Sequence, residues 1–453
     1  MSVSGSALRL SEADLTDAAQ SAVAAAVAAG ADGASATART DGGIRVTVRD
    51  GGVDTAVRNL TQSLGITVFR DGRAGSASTA ALDPESIRRT VAEATTIAAA
   101  VQPDPDAGLP DPAWLAFDGP QPPLAAPSDR PLRALIHLAL AAAQAVTDAP
   151  PGQRARLDEA GIWVNEARSA LATSAGLCRS WHATDHALWT MVLAQGAAGE
   201  SVRDFVQSSE RRFDALEAPD AIAARAVART IEQLGGRSIP SRRGAVLFDA
   251  RVASAIVSDV VAALAGGAQV RKASVLLDSI GRAVAPAHID LTEDPFEPYG
   301  LASGGFDPEG IAGSARPVIE GGVVRGYFLG SVAARKLGLR PTGNAGGAWN
   351  LRFANRDDGS DAAAMRRRLG TGLVVTHLNG GGTDPVRGTW TRAVSGLWVE
   401  GGEVIHAVTD VTVAGNLADM LGNIVAIGGD VFRDGAIRSG SILIDDMQIG
   451  GTA

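Results

Sequence analysis

Apolar positions along this chain recur with two different periods, and the switches between them mark its elements. In "SEADLTDAAQSAVAAAVAAG" small apolar residues fall at helical spacing behind Ser11, a residue suited to capping, and Gly30 closes the pattern. "DPESIRRTVAEATTIAAAV" repeats the plan with Pro84 at a first-turn position, which predicts a second helix ending near Val101. Between them "ASATAR", "IRVTVRD" and "LGITVFRDGRAGSAST" alternate with period two around Asp-Gly and Gly-Gly turns, so strands are predicted. Helices follow from about Leu132 to Val146 and from about Asp220 to Leu234. They flank strand-like "GIWVNEARSALATSAGLCRSWHATDHALWTMVLAQG".

The run from Gln102 to Pro131, "VQPDPDAGLPDPAWLAFDGPQPPLAAPSDRP", is too rich in proline for helix or central strand and predicts a connection laid over the surface. The second boundary comes where a buried strand returns in "GAVLFDARVASAIV", residues 244 to 257. There Val246, Leu247 and Phe248 form an apolar run, and Asp249 is a good N-cap. Val252, Ile256, Val260 and Leu264 continue at i, i+4 until Gly266 and Gly267 stop the pattern. Beyond it, "VIEGGVVRGYF", "WVEGGEVIHAV" and "VFRDGAIRSGSILI" each read as a hairpin. The expectation is an α+β protein: an N-terminal α+β domain (1–105), a Pro-rich linker (106–124), a middle α+β domain (125–236) and a β-rich C-terminal domain (237–453).

Composition narrows the class. The 453 residues are 45% hydrophobic and 20% charged, the balance of a globular protein, and 54 glycines imply many tight turns. A net charge of −9 argues against a nucleic-acid footprint, and the densest basic group, Arg366, Arg367 and Arg368, reads as a solvated helix end. Cys178 stands alone, so no intrachain disulfide forms and no Cys-rich zinc module exists. The start "MSVSGSALRLSEADL" lacks a signal-peptide pattern, and no apolar run reaches the ~18 residues of a membrane span, so cytoplasmic residence without membrane contact is expected.

Candidate chemistry is sparse. Of six histidines only His182 and His186, in "WHATDH", are local; on a strand they stand about 13 Å apart at ~3.3 Å per residue, too far to share an ion. They read as hydrogen-bonded positions on a sheet face, with Trp181 and Trp189 on the opposite face. The only lysines, Lys272 and Lys336, follow no Gly-rich loop, so a phosphate loop is excluded. No Gly-x-Ser-x-Gly elbow is present, and "HLNGGGTDP" around His377 is only superficially like an oxyanion loop. The acidic stretches "LTEDPFEP" and "NRDDGSD" lack calcium-loop spacing and read as solvated turns.

Three stretches together resemble the TldD/PmbA family: "NLTQSLGITVFRDGRAGSAST" (59–79), "GYFLGSVAARKLGLRPTGNAGG" (326–347) and "GLWVEGGEVIHAVTDVTVAGNLADMLGNIVAIGGD" (396–430). The pieces "AGNLADM" and "NIVAIGGD" are similar to the PmbA, or TldE, branch of that family. The resemblance implies a zinc peptidase built from two related chains. In the TldD type a strand runs into a helix bearing His-Glu-x-x-x-His, with a Cys near the C-terminus completing the zinc ligands and the Glu acting as base. The corresponding positions here are Asp249, Ala250 and Ser254, and "GGDVFRDGAIRSGSI" has no Cys.

The resemblance therefore implies a non-catalytic subunit with no metal ligands and no cofactor of its own. Zinc is expected in a TldD-like His-Glu-x-x-x-His partner, and the two chains would together enclose an unfolded or small peptide. Two alternatives remain at this level: a pathway-specific hydrolase or lyase component acting on a peptide-derived metabolite, and a homodimeric binding protein without catalysis.

Overall fold

The computed structural model describes Leu8 and residues 10–148, 155–197, 199–356 and 359–452. Asp357 and Asp358 of "NRDDGSD" and most of the first ten residues lie outside these. Helices and strands are mixed throughout, with strand in excess, as the α+β expectation requires.

The first strands, β1 (Gly33–Arg49), β2 (Gly52–Arg70) and β3 (Arg73–Thr79), share one antiparallel sheet with β4 (Ala155–Thr173), β5 (Cys178–Gln195) and β6 (Ser201–Glu210). Its order is β3-β2-β1-β4-β5-β6, so strands from residues 33–79 and 155–210 build one continuous layer. The helices α1 (Glu12–Ala28), α2 (Pro84–Ala100), α3 (Leu132–Thr147) and α4 (Pro219–Glu232) cover one face of it. Small residues meet there: Ala19, Ala22 and Ala26 of α1 pack with Ala34, Ala36 and Ala38 of β1, which brings helix and sheet close together. Ser11 and Asp14 make a reciprocal capping box at α1, and Asp83 caps α2 ahead of Pro84.

The C-terminal part has two sheets. One runs β14-β13-β12-β7-β17-β15 and the other β10-β9-β8-β11-β16. The strands of the first are β7 (Arg242–Phe248), β12 (Gly372–Thr383), β13 (Thr389–Glu400), β14 (Glu403–Asn416), β15 (Ile424–Ile427) and β17 (Ile442–Gly450). Those of the second are β8 (Ile289–Asp294), β9 (Arg316–Glu320), β10 (Val323–Val324), β11 (Asn350–Asn355) and β16 (Ile437–Ser439). Short helices connect them: α5 (Ala250–Ala263), α6 (Gly266–Val270), α7 (Ser331–Leu337), α8 (Ala362–Leu369) and α9 (Leu417–Gly422). Val246 and Phe248 join the core of Ile256 and Val260 from α5, while Leu247 joins Met365 and Leu369 of α8. Strand β7 is thus covered on both faces, which is why it reads as an unbroken apolar run.

Several local expectations need adjustment; "LTEDPFEP", for one, is not a solvated turn, since its first residues belong to β8 and Glu293 is buried against Arg316 at 2.9 Å. The Pro-rich segment is not simply laid over the surface: Leu115, Ala116 and Leu124 are buried, Leu115 bridges to Ile311, and Arg335 donates to the carbonyls of Asp106 and Leu109. Proline stiffness positions these side chains without needing regular hydrogen bonds. Helix α5 does stop just before the Gly266–Gly267 pair, at Ala263, but after an extended Ala265 that pair opens a further short helix, α6, that the pattern did not suggest. "VFRDGAIRSGSILI" is not a simple hairpin: Phe432 meets Ser439 by a single bridge, while β16 pairs in parallel with β11 and β17 pairs with β7; Asp434 accepts from the Ser209 amide at 2.9 Å. By contrast Gly321–Gly322 and Gly401–Gly402 do form the two-residue turns, all four with positive φ.

Candidate functional site

The junction between β7 and α5 is where strand order, helix start and the two halves of the molecule meet. Strand β12 runs parallel to β7, and the Asp249 amide continues that ladder by donating to the Val375 carbonyl at 2.9 Å. His377, two residues further along β12, is thereby carried to the start of α5. From the other half, β6 brings Asp204 and α4 brings Arg229 to the same place.

The three positions that the resemblance singles out lie together here, and two of them bond locally. Asp249 Oδ1 accepts from the Arg251 amide at 3.0 Å, an N-cap bond. Ala250 is buried and offers no polar atom. Ser254 Oγ donates to the Arg251 carbonyl at 3.0 Å within its own helix.

Asp204, with a side chain only 2% exposed, is the centre of the cluster. Its Oδ2 lies 3.1 Å from Arg229 Nε and 3.0 Å from His377 Nε2, although the imidazole contact is too poorly aligned to count as a hydrogen bond. Arg251 Nη2 is 3.8 Å from Oδ1, and Gln233 Nε2 donates to Oδ2 at 3.4 Å. Burial alone would raise this carboxyl; His377, Arg229 and Arg251 outweigh it and hold the pKa at about 2. The same burial pushes the Arg251 guanidinium down, with Arg229 adding like-charge repulsion, and pushes the Glu232 carboxyl up. Arg229 Nη2 and Arg251 Nη1 are buried without a hydrogen-bond partner among the described residues.

Sequence reasoning placed Asp249, Ala250 and Ser254 at this junction but missed Asp204, Arg229 and Arg251, and took His377 only as part of a loop. A signal existed: in "SVRDFVQ" Asp204 falls between Val202 and Val206 on the alternation that faces the core, an unusual place for an unpaired charge. The segment at His377 is strand, not loop, and Thr376 Oγ1 stands 3.0 Å from His377 Nδ1. The other histidine candidates are elsewhere. His182 Nε2 meets Glu166 at 2.9 Å, as a hydrogen-bonded sheet position should, whereas both ring nitrogens of the buried His186 lack a partner among the described residues. Burial lowers the His186 pKa, so its neutral form is favoured. Arg366, Arg367 and Arg368 do end a helix, α8. Among the described residues no three His, Cys, Asp or Glu side chains converge as a metal-binding group.

Family models for the PmbA/TldA metallopeptidase domain 1, central domain and C-terminal domain match residues 43–98, 125–234 and 241–451. The fold with its strand-to-helix junction is therefore of the metallopeptidase-scaffold class. Metalloprotease PmbA of Escherichia coli O157:H7 is 36% identical over 421 residues, covering 93% of this chain and 92% of the relative. The Haemophilus influenzae PmbA homologue is 33% identical over 98% of each. The chain belongs to the PmbA/TldD family. In fold it matches a crystal structure of TldE from Thermococcus kodakarensis with a TM-score of 0.82 at 18% identity, covering 96% of this chain and 100% of that one. No helix among the described residues is long and apolar enough to cross a membrane.

Proposed function

We propose that this chain is the non-catalytic subunit of a two-chain TldD/TldE-type zinc metallopeptidase acting on unfolded or small peptides. One observation carries the reading: at the junction where the resemblance places the metal, the donor set does not fit zinc. A hydrolytic zinc site uses three protein ligands and leaves one position open for water. Here Asp249 is engaged as a helix cap, Ala250 has no donor, and Ser254 bonds its own helix. The neighbouring charges are also of the wrong sign for a dication, since Arg229 and Arg251 crowd the one deeply buried carboxylate, Asp204.

The zinc belongs, in this reading, to a TldD-like partner carrying His-Glu-x-x-x-His. The remaining role of this chain's junction is architectural: it closes β6 and α4 against β12 and α5 and so fixes one wall of the shared enclosure. Cytoplasmic residence goes with this proposal.

The test combines three measurements on purified protein. Elemental analysis should find no stoichiometric zinc in this chain alone, and a peptidase assay should find no cleavage. Co-expression with the TldD-like chain should give a co-eluting, active complex. Zinc at one per chain, with partner-free activity lost on chelation, refutes the proposal.

A further inference from the structure

The helices over the six-stranded sheet sit in two pairs. Helices α1 and α2 close one core around Ala38, Ile66 and Ala170, while α3 and α4 close another around Val46, Ile162 and Leu188. A cavity of about 260 Å³ lies between them: along β1 its lining residues Gly42 to Ile44 fall between Ala38 and Val46, and along β4 Val164 and Glu166 fall between Ile162 and Ala170. The cross-strand row Arg58–Ile44–Val164–His186 turns towards it, because directly paired residues share a sheet face. In the next row Gly42 supplies no side chain and is followed by Glu166 and Thr184, so polar groups face the gap there.

His186 is the odd member of this lining. It is only 4% exposed, yet neither ring nitrogen has a hydrogen-bond partner among the described residues, a rare condition for a buried polar group. The polar groups beside it on the sheet are committed elsewhere. Thr184 accepts from the Ala126 amide and donates to the Arg211 carbonyl, and Glu166 meets His182 at 2.9 Å and Arg168 at 3.1 Å. The Phe213 ring packs edge-on with its centre 5.7 Å from that of the imidazole. A neutral imidazole so placed still has one N–H to give.

The charges around the cavity favour a negative ligand. Arg58, Arg130 and Arg168 line it together with two carboxylates, Asp129 and Glu166, and Arg168 and Glu166 offset each other. Asp129 is exposed to water. Neither Arg58 nor Arg130 makes an ion pair among the described residues, and Asp214, which feels the Arg130 charge, is already held by Arg212 at 2.7 Å. The Arg130 guanidinium lies 5.3 Å from the centre of the Phe213 ring, so this cation and the unpartnered imidazole are neighbours around one ring. Helix α3 begins two residues past Arg130 with Pro131 at its N-cap and no capping side chain, and its first amides add to the positive potential.

We propose that this cavity binds a small oxyanion, a carboxylate or a phosphate, which accepts from the His186 ring and is neutralised chiefly by Arg130. Arg58 is the secondary cation: it stands three strands away from His186, about 14 Å between main chains at ~4.8 Å per strand, and reaches the cavity from the β2 end. This site is independent of the subunit reading and of the β7–α5 junction.

The test titrates the isolated full chain with sodium phosphate and, in a second arm, with sodium acetate, at constant ionic strength, followed by calorimetry and by the His186 ring signals in NMR. At least one ion should bind saturably and move those signals; phosphate alone identifies a phosphate ligand, acetate alone a carboxylate, and both together the shared oxyanion chemistry. Arg130→Ala should weaken binding about tenfold and Arg58→Ala by less, both without lowering the thermal midpoint, because the two side chains are exposed. His186→Phe should abolish binding, and if that variant fails to fold, Arg130→Ala decides. Absence of saturable binding in both arms, His186 signals that stay still at saturation, or an affinity unmoved by Arg130→Ala overturns the proposal.

Discussion

Two deeply buried carboxylates respond to burial in opposite ways. Asp204, at the junction, is held down at about 2, whereas Asp307, in the turn beneath the Pro-rich segment, is pushed up to about 6. Both lose water. Asp204 has cationic neighbours from two helices and the imidazole of His377, while Asp307 is met by the backbone amides of Glu309, Ile311 and Ala345, with the Glu309 charge opposing it. At Asp307 the backbone bonds do not offset desolvation and the Glu309 charge, whereas at Asp204 the charged neighbours and the His377 contact do. The junction has thus been furnished with cations, from α4 and α5.

The largest expected effect comes from removing the charge that organises the junction. Asp204→Asn should cost about 3–5 kcal/mol, because Arg229 and Arg251 are left buried without their counter-charge. Urea unfolding measures it, and a cost under 1 kcal/mol would mean that the junction is no tighter than a surface pair.

The pH response separates the two carboxylates next. Asp307 has its folded pKa above its unfolded value of 3.8, so the folded state keeps a proton that the unfolded chain releases. Stability is therefore lost as pH rises from about 4 to about 6, by on the order of 3 kcal/mol for this group. Asp204 has the opposite sign: its contribution is present above pH 4 and is lost as pH falls through about 2. Carboxyl carbon titrations should give a midpoint near 6 for Asp307 and none above 3 for Asp204. Like midpoints for both would break the comparison.

A smaller effect is expected at the helix cap. Asp249→Ala removes the bond to the Arg251 amide and should cost about 1 kcal/mol, with peptide turnover by the two-chain mixture retained. Turnover abolished by this change would give Asp249 a chemical role. The smallest belongs to Arg243, whose contact with Asp446 at 2.5 Å is among the shortest in the protein yet lies in solvent. Arg243→Ala should leave the unfolding midpoint where it was, since solvent screening and side-chain entropy cancel such pairs.

Much of the architecture was legible. Ser11, Pro84 and Asp249 marked helix starts because capping is a local property of a few adjacent residues. The Gly-Gly turns marked hairpins for the same reason, while Asp434-Gly435 misled because the strands after it pair with β11 and β7 rather than with the residues before it. Asp249, Ala250 and Ser254 were located by resemblance to a family, and the structure brings all three to the β7–α5 junction.

The sequence by itself determined the element types, the helix caps and the tight turns, all of which depend on residues near one another along the chain. Only the tertiary structure decided that strands from residues 33–79 and 155–210 share one sheet, and that Asp204, Arg229, Arg251 and His377 meet. It alone decided that Arg58, Arg130 and His186 line a common cavity. Those arrangements depend on pairing across long loops and on which face each strand turns inward. No local pattern encodes the partner of a charge that lies 173 residues away, as His377 does from Asp204.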